Sequence, residues 1–220
     1  MIEYPKIETL FERDERFVVD PTRLKKPVLG TINLWDVTEK IDGTNVRVMM
    51  DTSGKVTFGG RTDNAQMPTG LLQQLMETFT TEKMIFAFSQ PNQPQVCAIL
   101  FGEGYGAGIQ KGGCYRPDKS FRLFDVLVDE KWWLDWLDVC DVADKLGIKT
   151  VPYLGQWTLA EIVERVKPGI RSVVAEQEAP MVNEVKAEGI VARPIQALFD
   201  KRGERIIIKL KTKDFIGGKR

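Results

Sequence analysis

The stretch Glu39–Val48, "EKIDGTNVRV", decides how this chain reads. Lys40 stands two residues before the pair Asp42-Gly43, with apolar–polar alternation on both sides. Period-two alternation marks a strand, and Asp-Gly is a turn-forming pair. Extended to residues 34–63, "LWDVTEKIDGTNVRVMMDTSGKVTFGGRTD" reads strand, turn, strand, turn, strand. Val46, Val48 and Met50 fall on one face, Asn45, Arg47 and Met49 on the other, and "DTSGK" suits a hairpin connection. A lysine at the lip of a turn is ordinary surface when it stands alone. It becomes a candidate for chemistry when other groups converge on it.

Downstream, "TGLLQQLMETF" after Pro68 has helical spacing. Leu71, Leu72, Leu75 and Met76 share a side, and Thr69 is its expected cap. "QVCAILFGEGYG" reads as a buried strand running into a glycine-rich turn, and "SFRLFDVLVDEKWWL" as two strands around a tight acidic turn. "DWLDVCDVADKLG" is an amphipathic helix stopped by Gly147. "TLAEIVERVKPG" is another, opened by a Thr158/Glu161 capping box. "AEGIVARP" and "ERIIIKLKTK" close the chain as strands. In the last of these Ile206, Ile208 and Leu210 alternate with Lys209 and Lys211, so the two lysines share a face. Hairpins dominate without regular βαβ alternation, which predicts an α+β fold with largely antiparallel sheets flanked by helices.

Composition narrows the chemistry. The 220 residues are 43% hydrophobic, which predicts a folded domain rather than a disordered chain. No apolar run is long enough to span a bilayer, and the opening "MIEYPKIETLFERDERF" lacks a secretory pattern. Three separated cysteines, Cys97, Cys114 and Cys140, suggest neither a disulfide framework nor a zinc site. A cytoplasmic, monomeric protein without a membrane partner is expected. There is no histidine, so histidine-based nucleophilic catalysis, general acid–base work and metal ligation are all excluded. Any reaction must use Lys, Asp, Glu, Arg, hydroxyls or a bound ion. Basic and acidic residues balance at 31 each, yet Asp200–Arg220 carries eight basic residues against three acidic. Such an end attracts polyanions when it is not simply a solvated face.

"GEGYGA", Gly102–Ala107, spells the dinucleotide fingerprint G-x-G-x-x-A, but the following "GIQKGGCYRPD" is no helix, and the fingerprint requires one. A different set of segments is informative in order: "KIDGTN", "FGEG", "FRLFDV", "AEGIVARP" and "IIIKLKTK". This series resembles motifs I, III, IIIa, IV and V of the covalent nucleotidyltransferases, the superfamily of ATP-dependent ligases and messenger RNA capping enzymes. "YPKIETLFERD" and "GGRTDNAQ" are most similar to ATP-dependent RNA ligases of the RNA ligase 2 type. The resemblance runs from about Tyr4 to Lys211.

The resemblance implies the nucleotidyltransferase fold and a role for each residue. Lys40 is the nucleophile that attacks the α-phosphate of ATP and carries AMP. Lys209 and Lys211 grip that phosphate. Asn45, Arg61, Glu103 and Phe124 contact the nucleotide or an RNA 5′-phosphate, with Glu103 accepting from the ribose and Phe124 stacking on adenine. Glu188 binds or orients Mg²⁺ or Mn²⁺. Asp42 and Asp125 are supporting residues or, equally, a turn aspartate and a structural carboxylate. The chemistry asks for such parts. A free lysine is protonated at neutral pH and must lose its proton to attack. Neighbouring cations favour that loss and offset phosphate charge. Gly43 is expected to give a sharp turn and room for a nucleotide.

The expected partners are RNA ends, a 5′-phosphate and a 3′-hydroxyl, with room for a separate RNA-binding partner. Residues 1–220 are expected to form a single nucleotidyltransferase domain, with no OB-fold and no helical C-terminal lobe. A GTP-using capping-type enzyme, a minimal DNA ligase and a non-catalytic nucleotide- or RNA-binding module remain alternatives.

Overall fold

The computed structural model describes residues 1–110, 115–179 and 184–216. Cys114, Lys219 and Arg220 lie outside them. In chain order the elements are β1 (Glu8–Thr9), β2 (Phe11–Arg13), β3 (Val19–Leu24), β4 (Trp35–Lys40), β5 (Thr44–Met50), β6 (Val56–Gly59), α1 (Thr69–Thr78), α2 (Thr81–Phe88), β7 (Ala98–Gly106) and β8 (Lys119–Val128). They continue with β9 (Trp132–Trp133), α3 (Trp136–Leu146), β10 (Lys149–Thr150), β11 (Tyr153–Trp157), α4 (Leu159–Val166), α5 (Val173–Glu178), β12 (Gly189–Pro194) and β13 (Ile208–Lys211). The α+β class and the mainly antiparallel sheets agree with the sequence reading. The short pairings β1–β13 and β10–β8 are parallel.

The chain divides into two compact units. One holds Met1–Pro5 and Asp42–Val151, the other Lys6–Ile41 and Pro152–Arg220. The first is built on the sheet β10-β8-β7-β5-β6, with β9 added to β8. One of its faces, with Val46, Val48, Leu100, Leu123 and Val126, is packed by Leu71 and Leu75 of α1, Met84 of α2 and Val142 of α3. The other face carries Ile99, Phe101 and Leu127, covered by Tyr4, Met49, Phe124 and Trp133. The second unit is built on the sheet β1-β13-β12-β4-β11. Its core gathers Trp35, Val37, Ile190, Ala192, Ile208 and Leu210 against Ile162 and Val166 of α4.

This division corrects the reading of the opening stretch. β4 and β5 are both strands, but they are not a hairpin: β4 pairs with β11 and β12, and β5 with β6 and β7. The chain changes sheets at Ile41–Asp42. The following "DTSGK" does close a hairpin, β5–β6, with Asp51 Oδ1 accepting from the backbone of Ser53 and Lys55. Gly43 keeps a backbone outside the left-handed region. It is glycine for another reason: a Cβ there would sit 2.3 Å from the Gly104 carbonyl oxygen and 2.8 Å from Glu103 Cγ. Close approach of β5 to β7, not a tight turn, requires it.

Some other local readings hold and some do not. The α4 capping box is present, with Thr158 N donating to Glu161 Oε2 at 2.8 Å, and Gly147 ends α3 with φ 67°. "GEGYG", expected as a glycine-rich turn, is instead the second half of strand β7, paired with β8 through Gly106. In α1 the cap is Pro68 rather than Thr69, and Met76 is exposed while Leu71 and Leu75 are buried. Among the described residues no helix is long and apolar enough to cross a membrane.

Candidate active site

In the second unit, strands β4, β12 and β13 lie side by side, and their register is decisive. Gly189 at the start of β12 stands opposite Lys40 at the end of β4 on one side and Lys211 at the end of β13 on the other. Glu188, one residue earlier, therefore emerges between the two lysines. Lys40 Nζ lies 2.7 Å from Glu188 Oε2, and Lys211 Nζ donates to Glu188 Oε1. Lys213 Nζ stands 4.0 Å from the same Oε1. The side chains of Lys40, Lys211 and Glu188 are only 21%, 18% and 12% exposed, so the pairs are poorly screened.

The approach of these strands again depends on glycine. A Cβ on Gly189 would lie 2.1 Å from the Leu210 carbonyl oxygen and 2.6 Å from Lys211 Cα. Two further contacts fix the strand ends. Thr212 N donates to the Glu188 carbonyl at 3.1 Å. Lys211 N donates to Asp214 Oδ2 at 3.0 Å, and Asp214 Oδ1 accepts from Arg13 at 2.7 Å. Burial pushes the Glu188 carboxyl up, but the charge of Lys40 and the hydrogen bond from Lys211 outweigh it and hold the group below the usual range. Glu188 is thus an anion clamped by ammonium groups.

Lys209 lies two residues before Lys211 on β13, opposite Val191. It is half-buried and on the same face as Lys211, as the alternation predicts. Ile208 and Leu210 point into the core.

The remaining candidates belong to the first unit. Asn45 on β5 stands opposite Glu103 on β7, and Glu103 stands opposite Arg122 on β8. Directly opposed residues share a sheet face, so the three form one row. The Asn45 Oδ1 is buried without a hydrogen-bond partner among the described residues. An orphaned acceptor of this kind is costly unless a donor completes it. Arg122 is 2% exposed and donates to Tyr105 Oη at 3.1 Å and the Thr150 carbonyl at 3.2 Å. Asp42 N donates to the Tyr115 hydroxyl oxygen at 3.2 Å.

Phe124 presents an edge-on contact to Tyr4, 5.0 Å between ring centroids. Asp125 is fully buried and accepts from Tyr4 Oη at 2.7 Å. That bond ties the first residues to β8. Arg61 is exposed beyond β6. The buried arginine nearby is Arg47, whose guanidinium reaches the Gly60 carbonyl at 2.6 Å, the Met1 carbonyl at 2.7 Å and Asp63 at 2.9 Å.

The sequence reading missed Glu39. It is 1% exposed and accepts from Ser172 Oγ at 2.6 Å and Val173 N at 2.8 Å, capping α5. The signal was there: period two puts Glu39 with Trp35 and Val37 on the buried face, and a charge at a core position needs partners. Asp214 carried no comparable signal, because its partners come from Lys211 nearby and Arg13 far away in sequence.

Among the described residues no group of three or more His, Cys, Asp or Glu lies together to hold a metal ion. Glu188 offers one carboxylate, which suits Mg²⁺ or Mn²⁺ only where phosphate oxygens and water supply the other ligands.

A family model described as RNA ligase matches residues 33–211. Solved structures of Naegleria gruberi RNA ligase are similar in fold. A mutant form with ATP and Mn gives a TM-score of 0.63 at 20% identity, covering 96% of this chain and 61% of that one. The same ligase with PPi gives 0.61 at 19% identity, covering 97% and 63%. A further mutant form, with AMP and Mn, gives 0.61 at 18% identity, covering 96% and 60%. This chain thus spans about three-fifths of the length of the solved structures it matches.

Proposed function

This chain belongs to the RNA ligase family, and we propose that it is an ATP-dependent RNA ligase working through a lysine–AMP intermediate on Lys40. The observation that carries the proposal is the Lys40–Glu188–Lys211 cluster at one end of three adjacent strands.

Lys40 Nζ, once deprotonated, attacks the α-phosphorus of ATP. A P–N bond forms, the bond to the pyrophosphate oxygen breaks, and pyrophosphate leaves. An RNA 5′-phosphate oxygen then attacks the same phosphorus. The P–N bond breaks and the lysine amine returns. Finally a 3′-hydroxyl attacks the 5′-phosphorus, a phosphodiester forms and AMP departs.

Each residue has a part that its chemistry supports. The ammonium groups of Lys209 and Lys211 would face negative charge on the α-phosphate. Glu188 holds Lys40 in place and, with a nucleotide bound, would be the carboxylate that shares a Mg²⁺ or Mn²⁺ ion with phosphate oxygens. The ion would supply charge neutralisation. A carboxylate beside a polyphosphate needs cations between them, and Lys40 and Lys211 already stand there. Asn45, Arg61, Glu103 and Phe124 are assigned to nucleotide or 5′-phosphate contacts. Asn45 has the firmest physical case, through its orphaned Oδ1.

The test is incubation with α-labelled ATP and Mg²⁺, then denaturing electrophoresis. Label that stays with the protein and is lost in Lys40→Ala supports the proposal, and label from GTP instead of ATP would replace it with a capping-type reading. Joining of a pre-adenylylated RNA to a 3′-hydroxyl end tests the last step separately.

A further inference from the structure

β12 and β13 are joined by a segment, residues 195–207, that the catalytic cluster does not use. Residues 198–206 form a built tongue. Ile206 N donates to the Leu198 carbonyl at 2.8 Å, and Asp200 N to the Glu204 carbonyl at 2.8 Å. Phe199 and Arg205 are bridged antiparallel partners between those bonds. They are therefore a non-hydrogen-bonded pair, the type whose side chains stand closest, at about 4.5 Å between Cα atoms. Asp200 Oδ1 closes the tip, accepting from Arg202 N at 2.8 Å and Glu204 N at 3.1 Å.

This hydrogen-bonded tongue carries a phenyl ring in water. Phe199 is 58% exposed, with Ile195 and Leu198 also exposed in the same segment. Single exposed apolar residues are ordinary. An aromatic ring opposite a guanidinium, next to exposed Lys201 and Arg202, is a more specific combination. The acid in the middle is already engaged: Asp200 is tied to backbone amides, and its Oδ2 lies 3.8 Å from Lys26. Backbone hydrogen bonds from Arg202 and Glu204 hold its carboxyl below the usual range. An anionic partner with flat, π-faced groups fits this surface better than an acidic peptide would. Bases stack on aromatic rings without regard to sequence, and phosphates meet the cations.

We propose that the tongue 198–206 docks single-stranded RNA, with Phe199 as a base-stacking platform and Lys201, Arg202 and Arg205 as phosphate contacts. The proposal rests on the RNA ligase reading for the identity of the polyanion. β12 runs from Gly189, beside Glu188, to Pro194, about 17 Å at strand rise. The tongue leaves from the far end, so Phe199 touches neither Lys40 nor the nucleotide and acts on RNA capture alone.

The experiment follows fluorescence anisotropy of a 5′-phosphorylated oligouridylate with the full chain over a salt series. Phe199→Ala weakens binding about 5- to 150-fold, the range for one base–aromatic stack. Phe199→Tyr restores it, and Phe199→Leu, apolar without a π-face, does not. The salt slope is unchanged in Phe199→Ala and shallower by about 0.7 per cation in Lys201→Ala and Arg202→Ala. Label transfer from ATP to Lys40 stays at the wild-type level in all of these variants. Equal affinity of Phe199→Ala and wild type, equal rescue by Leu and Tyr, or no oligouridylate binding by wild type overturns the proposal. So does loss of self-association in Phe199→Ala with RNA affinity intact, which would make the tongue a protein-docking face. Absence of label from wild type would overturn the ligase reading instead, while the oligouridylate series still reports on the tongue.

Discussion

Lys40 Nζ sits 2.7 Å from Glu188 Oε2, although 148 positions separate the two residues in the chain. Their contact exists because β4 and β12 pair antiparallel with Lys40 opposite Gly189. In this arrangement Lys40, the proposed nucleophile, shares the Glu188 carboxylate with Lys211. In the proposed reaction the Lys40 amine must be deprotonated to attack, and Glu188 must exchange partners.

Replacing Lys40 should separate chemistry from folding. Lys40→Ala should give no labelled protein with ATP, with an unchanged circular dichroism spectrum. Lys40→Arg should fail as completely, because guanidinium stays protonated. Label retained by either variant would place the nucleophile elsewhere.

Glu188→Ala should reduce label formation by about 10²-fold or more, the scale seen when one preorganised electrostatic group is removed. Excess chelator should abolish the reaction in wild type. Activity persisting in chelator would remove the divalent ion from the mechanism.

Gly189→Ala should damage both stability and activity. The added Cβ meets backbone at 2.1 Å, and backbone cannot step aside as a side-chain tip can. A loss of about 1–3 kcal/mol is expected, read by urea unfolding. A variant as stable and active as wild type would mean that β12 and β13 need not approach so closely.

Tyr4→Phe removes a 2.7 Å donor from a fully buried carboxylate. It should cost about 1–3 kcal/mol, with Asp125→Asn costing less because the amide still accepts. Unchanged stability in Tyr4→Phe would show that the first residues are not anchored through Asp125.

Acid should loosen α4 through its cap. The Thr158 backbone and side-chain hydrogen bonds hold the Glu161 carboxyl below the usual value of 4.5. A depressed carboxyl contributes stability above its unfolded pKa, and the contribution is lost as pH falls through the folded pKa. The melting temperature of wild type should therefore fall more steeply below about pH 4.3 than that of Glu161→Gln, which accepts the same hydrogen bonds without titrating. Parallel acid limbs would exclude the cap from the acid response.

Much of this protein is written in local pattern. Period two in residues 34–63 identified β4, β5 and β6, and alternation on β13 put Lys209 and Lys211 on one face with Ile208 and Leu210 in the core. The α4 capping box and the Gly147 stop are contacts within a few residues, so the chain segment alone specifies them. The motif series, read in order, indicated the family before any geometry was known. Other features depend on residues distant in sequence. Period two cannot say which strands pair, so the break between β4 and β5 into separate sheets was invisible in "KIDGTN". Gly43 looked like a turn glycine until the Gly104 carbonyl came close to it, and nothing in the sequence marked the approach of the Leu210 carbonyl to Gly189. The buried charges Arg47, Arg122 and Asp214 looked like ordinary polar positions, and the partners of Glu39 on α5 were hidden, because these contacts come from other elements. The sequence by itself determined which side chains line each strand, since that follows from backbone geometry one residue at a time. Only the tertiary structure decided that Lys40, Glu188 and Lys211 meet, since that depends on strand register, which long-range packing sets.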